Sequence, residues 1–169
     1  MVATDRPDII NYLAGIEPGS ELAKLREQRP EVLEYAQGSY LALLEPDGPQ
    51  GVSQFEREAI AFRVATLERS QVVADFHLTR LIALGAEETA IAAITDFPDG
   101  GPLDERIIAI LGHVDLLTCS SRSGSPGAIA VLTAAGLSPK DVVTVSQLIA
   151  YLSFEIRVIA TMRALGGEQ

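Results

Sequence analysis

Apolar residues recur every three or four positions along almost the whole chain, and the β-branched residues never settle into sustained alternation. That period restricts the chain to packed helices, because only a 3.6-residue repeat gathers such positions onto one face. Short clusters containing Gly and Pro interrupt it: GIEPGS at 15–20, EPDGPQG at 45–51, DFPDGGP at 96–102 and CSSRSGSPG at 119–127. Helices stop at such clusters. The expected class is all-α. Ser53 to Glu56 has capping-box spacing and opens a helix to about Glu68. Pro30 suits the first turn of a helix to about Leu44, and another helix runs from Leu103 to Ser120. The longest begins near Ser138, with Pro139 in its first turn, and ends before Gly166. LIALGAEETAIAAI (81–94) and LTAAGLSPKDVVTV (132–145) share one pattern, a helix end, a glycine at Gly85 or Gly136, and a capping polar residue before the next helix. Duplication and the general frequency of glycine-terminated helices both account for it.

A length of 169 residues sets one domain as the expectation, with 1–50 as an N-terminal helical segment packed on a helical core of 51–169. Hydrophobic residues make up 47% and charged residues 21%, which is more apolar surface than a small monomer hides, so a homo-oligomer is expected. Thirteen Lys and Arg against 23 Asp and Glu leave a net charge of −10, which repels a phosphate backbone and an anionic bilayer alike. Neither nucleic acid nor a membrane is an expected partner. The opening MVATDRPDII has no basic n-region, and no uninterrupted run of about 18 apolar residues follows, so the expected location is cytoplasmic. Cys119 is the only cysteine, which leaves no CxxC pair, no intramolecular disulfide and no cysteine-based zinc site. Its bland role is that of a small, semi-buried hydrophobe. SRSGSPG lacks the GK[ST] ending of a phosphate loop, and a helix precedes it. His113 falls beside the Ile107, Ile110, Val114, Leu117 stripe and reads as a boundary residue. No cofactor and no metal are expected.

The informative residues are Glu58 and His77. At about 100° per residue, His77 shares a helix face with Val73, Ala74, Leu81 and Leu84, while Asp75, Thr79 and Ile82 lie opposite. Glu58 shares an arc with Phe55, Ala59, Ala61, Phe62 and Ala65, and Glu56, Arg57 and Arg63 project elsewhere. A lone carboxylate on an apolar arc must be paired or neutralised, since desolvating it alone costs several kcal/mol. The two helices are consecutive and so pack as neighbours, which makes Glu58 and His77 each other's partner. One reading is a buried pair that satisfies itself; the other is a proton-transfer pair beside a small apolar pocket whose wall includes Ser70 and Val73.

Glu58, eleven residues, Ser70, two residues, Val73, three residues and His77, followed by LTRLIALGAEETAI, resembles the alkylhydroperoxidase D and carboxymuconolactone decarboxylase superfamily. The flanks AGIEPGSELAKLREQRPEVLEYAQGSY and AAGLSPKDVVTVSQLIAYLSFEIRVIATM resemble a subgroup described only as carboxymuconolactone decarboxylase domain proteins, so the likeness spans most of the chain. The resemblance implies an AhpD-like helical bundle. In the peroxidase branch a second cysteine attacks the hydroperoxide, a first resolves it, and Glu and His relay protons. Here Glu58 and His77 stand at the relay positions, but Ser70 and Val73 stand where the thiols belong. Valine has no redox chemistry, and a serine hydroxyl lacks a thiolate's low pKa and soft nucleophilicity. The decarboxylase branch works without a CxxC, and a Glu/His pair suffices for its proton transfers. Its substrate would bring carboxylates, for which Arg63 and Arg80 are the nearest cations in sequence, although a solvated surface role is commoner for both. That branch is shorter and lacks the long N-terminal segment. The implied function is acid–base chemistry on a small organic molecule; the alternative is a non-catalytic helical binding or assembly subunit, partnered with a paralogue that has the cysteines.

Overall fold

The computed structural model describes residues 7–48 and 50–167; the first six residues of the N-terminal segment, Pro49 and the last two residues of the chain lie outside them. Among the described residues nine α-helices and no strand occur: α1 (Ile9–Ala14), α2 (Glu21–Glu27), α3 (Pro30–Leu44), α4 (Gln54–Leu67), α5 (Gln71–Ala83), α6 (Glu88–Thr95), α7 (Glu105–Ser120), α8 (Pro126–Ala134) and α9 (Pro139–Gly166). The CSSRSGSPG stretch contains a short 3₁₀ turn, Ser121–Ser123, and Pro126 opens α8.

Helix starts follow from the caps. Ser53 accepts from the Glu56 N–H while the Glu56 carboxylate accepts from the Ser53 N–H, and Ser138 with Asp141 repeats the arrangement at α9. At α7 the start lies two residues later than the sequence pattern suggests, because Asp104 caps Ile107. α5 and α8 end alike. Gly85 and Gly136 both adopt φ 85°, with the following N–H bonding back to Leu81 and Leu132 respectively. This closure needs the left-handed conformation that glycine adopts without strain.

α4 is the centre of the molecule, packed by α5, α9, α7, α6 and α3. Every residue from Glu56 to Ala65 is buried, so this stretch of α4 has no solvent face. Glu56, Arg57 and Arg63, which the sequence pattern sets elsewhere than the apolar arc of Glu58, are therefore buried as well. Neighbours surround the helix on all sides, and each charge is paired instead. Arg106 bonds Glu56 at 2.5 Å, and Arg57 donates to the carbonyls of Leu43 and Val52. Arg63 grips both oxygens of Asp115 at 2.8 and 2.7 Å and also donates to the carbonyls of Thr95 and Phe97. It ties α4 to α7 and to the end of α6, rather than lying solvated on the surface.

α9 spans the bundle and packs against α4, α1, α3, α7, α8 and α2. By length and composition it could cross a bilayer, with a mean hydropathy of 1.5 over 18 residues, but half of that window is buried inside the protein in the manner of a core helix. Glu155 sits within this buried face with no exposure. Tyr151 donates to its Oε1 at 3.0 Å, and its Oε2 has no partner among the described residues. Burial pushes its carboxyl up to about 7, the Tyr151 hydrogen bond opposes this, and Asp8 adds to it.

The native carboxyl is thus the weaker acid, so the folded state holds its proton more tightly and stability falls as pH rises from the ordinary value of 4.5 through about 7. At about 1.4 kcal/mol per pH unit the loss is roughly 3 kcal/mol. Glu155→Gln keeps an acceptor for Tyr151 and removes the titration. Urea melts should show it more stable than wild type at pH 8, with the gap closing by about pH 5; equal stability at both pH values would contradict this.

Candidate functional site

α5 packs along α4, and their facing sides bring Glu58 and His77 together. The Glu58 Oε2 to His77 Nδ1 distance is 2.7 Å, and both side chains are fully buried. Glu58 has further partners. Arg80 Nε and Gln54 Nε2 each donate to Oε1 at 2.7 Å. Arg80 also bonds Glu45 at 2.9 Å, and Glu45 accepts from the Tyr40 hydroxyl at 3.2 Å. The result is one chain of polar groups running from α3 through α5 into α4.

Helical spacing explains most of it. Gln54 lies four residues before Glu58 and Arg80 three after His77, so each flanks its partner on the same helix face. Burial raises the Glu58 carboxyl, but hydrogen bonds from His77 and Arg80, with the charge of Arg80, outweigh it and hold the group below the ordinary 4.5. Glu58 is therefore an ionised acceptor, and in the neutral imidazole Nδ1 carries the proton donated to it. Nε2 is left with a lone pair. That nitrogen is buried and has no partner among the described residues, an arrangement that costs about 1–3 kcal/mol elsewhere in proteins. Phe76 meets the ring edge-on, with centroids 5.1 Å apart.

Two cavities adjoin the network. One of about 210 Å³ is lined by Gln54, Glu58, Arg80, Ala83 and Leu84. The other, of about 250 Å³, lies between α1, α3 and α5, with Tyr12, Tyr40, Glu45, Phe76 and Arg80 among its walls. Arg80 borders both; His77 borders neither. Ser70 and Val73 are also absent from both, which corrects the expected pocket wall. Ser70 is the N-cap residue of α5, two helical turns from His77, and lines a separate cavity against the end of α9. Val73 is sealed in the core. Leu84, placed with the core face by its angle, is 46% exposed because it is the C-cap beyond the last turn.

The other sequence candidates lie elsewhere. Cys119 is exposed near the end of α7 rather than semi-buried. His113 is buried rather than at a boundary, bonded through Nε2 to Ser146 at 3.2 Å, and desolvation lowers its pKa. Among the described residues no group of three or more His, Cys, Asp and Glu is placed to hold a metal ion. Sequence reasoning noticed Arg80 only as a nearby cation and missed Gln54, Glu45 and Tyr40.

No family model matches the chain, and no curated protein matches it in sequence. Solved structures do match in shape. An uncharacterized peroxidase-related protein from Silicibacter sp. TM1040 superposes with a TM-score of 0.71 at 20% identity, over 79% of this chain and 69% of the other. An uncharacterized peroxidase-related protein from Ralstonia eutropha JMP134, described as an alkylhydroperoxidase AhpD core, superposes with a TM-score of 0.71 at 17% identity, over 92% of this chain and 83% of the other. The fold is AhpD-like. Within this AhpD-like bundle, α4 carries Glu58, and the α4–α5 corner carries Ser70 where the resemblance in sequence places the first thiol.

Because Glu58 neutralises Arg80 and holds the buried His77 ring, Glu58→Ala should cost about 3–5 kcal/mol in urea unfolding, the usual penalty for breaking a buried pair. A loss below about 1 kcal/mol would contradict the pairing. The native carboxyl is the stronger acid here, so its contribution is full above 4.5 and is lost as pH falls through the native value. The wild-type advantage should shrink in acid.

Proposed function

We propose that this chain is a divergent AhpD-fold protein that has abandoned thiol peroxidase chemistry and uses Glu58 and His77 for acid–base chemistry on a small organic molecule. The observation that carries this reading is the bare Nε2 of His77. An imidazole whose Nδ1–H is held by a buried carboxylate presents its other nitrogen as a base, and that nitrogen has no partner among the described residues. Arg80 supports it as the cation that balances Glu58 and borders both adjoining cavities. Ser70 and Val73 supply neither an attacking nor a resolving thiol, and Cys119 is a single exposed thiol at the far end of α7. The reading places the protein in the cytoplasm, with no nucleic-acid or membrane partner, and requires no cofactor.

One observation favours the second reading, a non-catalytic binding or assembly subunit working beside a cysteine-containing paralogue: His77 is fully buried and borders neither cavity of the network. Solvent access separates the two. A catalytic base must reach its substrate proton, so a diffusible imidazole-reactive reagent such as diethyl pyrocarbonate should modify native His77 on the timescale of minutes, and Glu58→Gln should change that rate. Modification only after unfolding would favour the subunit reading.

The absence of thiols at Ser70 and Val73 sets a second expectation. Purified protein should reduce organic hydroperoxides with a dithiol donor no faster than buffer. Turnover that survives Cys119→Ser would overturn the loss of peroxidase chemistry.

The homo-oligomer belongs to the same proposal. Large apolar side chains remain exposed in the isolated chain, including Tyr35 at 69%, Leu165 at 64%, Val131 at 57% and Leu25 at 56%. Burial of such residues between copies would stabilise an assembly. Sedimentation at micromolar concentration should report a mass above 18.0 kDa; a monomer throughout that range would contradict it.

A further inference from the structure

α4 ends in the same closure as α5 and α8, with the Arg69 N–H on the Thr66 carbonyl at 3.2 Å and the Ser70 N–H on the Ala65 carbonyl at 2.9 Å. At α5 and α8 the left-handed residue is glycine. At α4 it is Arg69, with φ 58°, the only non-glycine residue of positive φ among the described residues. A side chain there carries strain that glycine would not, and such strain concentrates where a side chain has work to do. Arg69 is exposed, and its guanidinium makes no hydrogen bond or ion pair among the described residues. A favourable interaction with the α4 carbonyl end accounts for a cation at this position, but not for the cavity that it borders.

That cavity, of about 580 Å³, lies between the α4–α5 corner and the last turns of α9. Arg69 comes from the first of these walls and Arg163 from the second, two of only 13 Lys and Arg in a chain of net charge −10. Glu68, the acidic residue in its wall, is engaged by Ser153 and by Arg157. Ser70 and Gln71 also line it, and Ser70 makes no side-chain cap, so the first-turn N–H groups of α5 have no side-chain acceptor there. The remaining wall is apolar, built chiefly by Val72, Ile156, Ile159 and Ala160.

We propose that this cavity binds a small amphipathic organic acid, with its carboxylate between Arg69, Arg163 and the first turn of α5 and its apolar body against Ile156, Ile159 and Ala160. An arginine fork matches a carboxylate, and the N-terminal end of a helix adds to the attraction. The apolar wall selects a hydrocarbon body over a bare ion. This site is separate from Glu58 and His77 and does not rest on their role.

Calorimetric titration of the full chain with octanoate, 1-octanol and inorganic phosphate tests it. Octanoate should bind at one site, and both 1-octanol, which lacks the charge, and phosphate, which lacks the chain, should bind more weakly. Arg69→Gly should weaken octanoate by about tenfold or more, the scale of one lost charged hydrogen bond, while raising Tm, because it relieves the strained closure. Arg69→Lys should retain most of the affinity. Arg29→Ala, in the apolar groove between α2, α3 and α9, should leave it unchanged. The proposal fails if octanoate gives no binding at millimolar concentration, if Arg69→Gly leaves its affinity intact, if Arg29→Ala abolishes it, or if phosphate binds as tightly.

Discussion

A carboxylate placed on a helix that is buried on every side must be neutralised by other side chains, and Glu58 is such a group. Desolvation alone would drive it to the neutral acid. His77, Arg80 and Gln54 keep it ionised instead, and in doing so they fix which face of α5 meets α4. Arg80 then extends the constraint to Glu45 and Tyr40 at the α3 end of the network. The packing of three helices thus follows from the need to neutralise one charge. Arg63 does the same on the opposite side, with Asp115 of α7 and the carbonyls that end α6. Buried ion pairs add little net stability against apolar isosteres, but they penalise wrong registers heavily. That property suits a small bundle of otherwise interchangeable apolar helices.

The same neutralisation shapes the chemistry open to the site. Three donors hold the Glu58 carboxylate in its ionised form, so it is poorly disposed to take a proton from a substrate itself. Its effect is exerted through the imidazole, whose tautomer it sets. On the proposed acid–base reading the reactive atom is Nε2, and the two helical turns between Ser70 and His77 argue against a hydroxyl nucleophile serving it. The two arginines at the α4–α5 corner and the end of α9 line a separate cavity, together with Ser70.

Much of this was legible from residues alone. The helical period, the capping boxes at Ser53 and Ser138 and the glycines at 85 and 136 marked the elements, because local hydrogen-bonding geometry decides them. The Glu58–His77 contact was legible because each was a titratable group on an apolar arc of consecutive helices. What was not legible depended on the environment of α4. Angular position alone set Glu56, Arg57 and Arg63 off the apolar arc of Glu58, yet a helix enclosed by five others has no solvent face. Most of the partners of these three residues come from 14 to 52 residues away in sequence, beyond the reach of any local pattern. The cavity walls failed for a related reason. Ser70 shares a line with His77 along α5, but two turns of rise place it at the other end of the helix, against a different neighbour.

Nitrogen-15 NMR of the His77 imidazole in the native protein near neutral pH tests the Glu58–His77 pairing most directly. Nδ1 should carry a proton held against Glu58 and protected from solvent exchange, with Nε2 bare, and that protection should be lost in Glu58→Gln. A ring protonated on Nε2 with Nδ1 bare, or an Nδ1 proton that exchanges as fast as that of free imidazole, would contradict it.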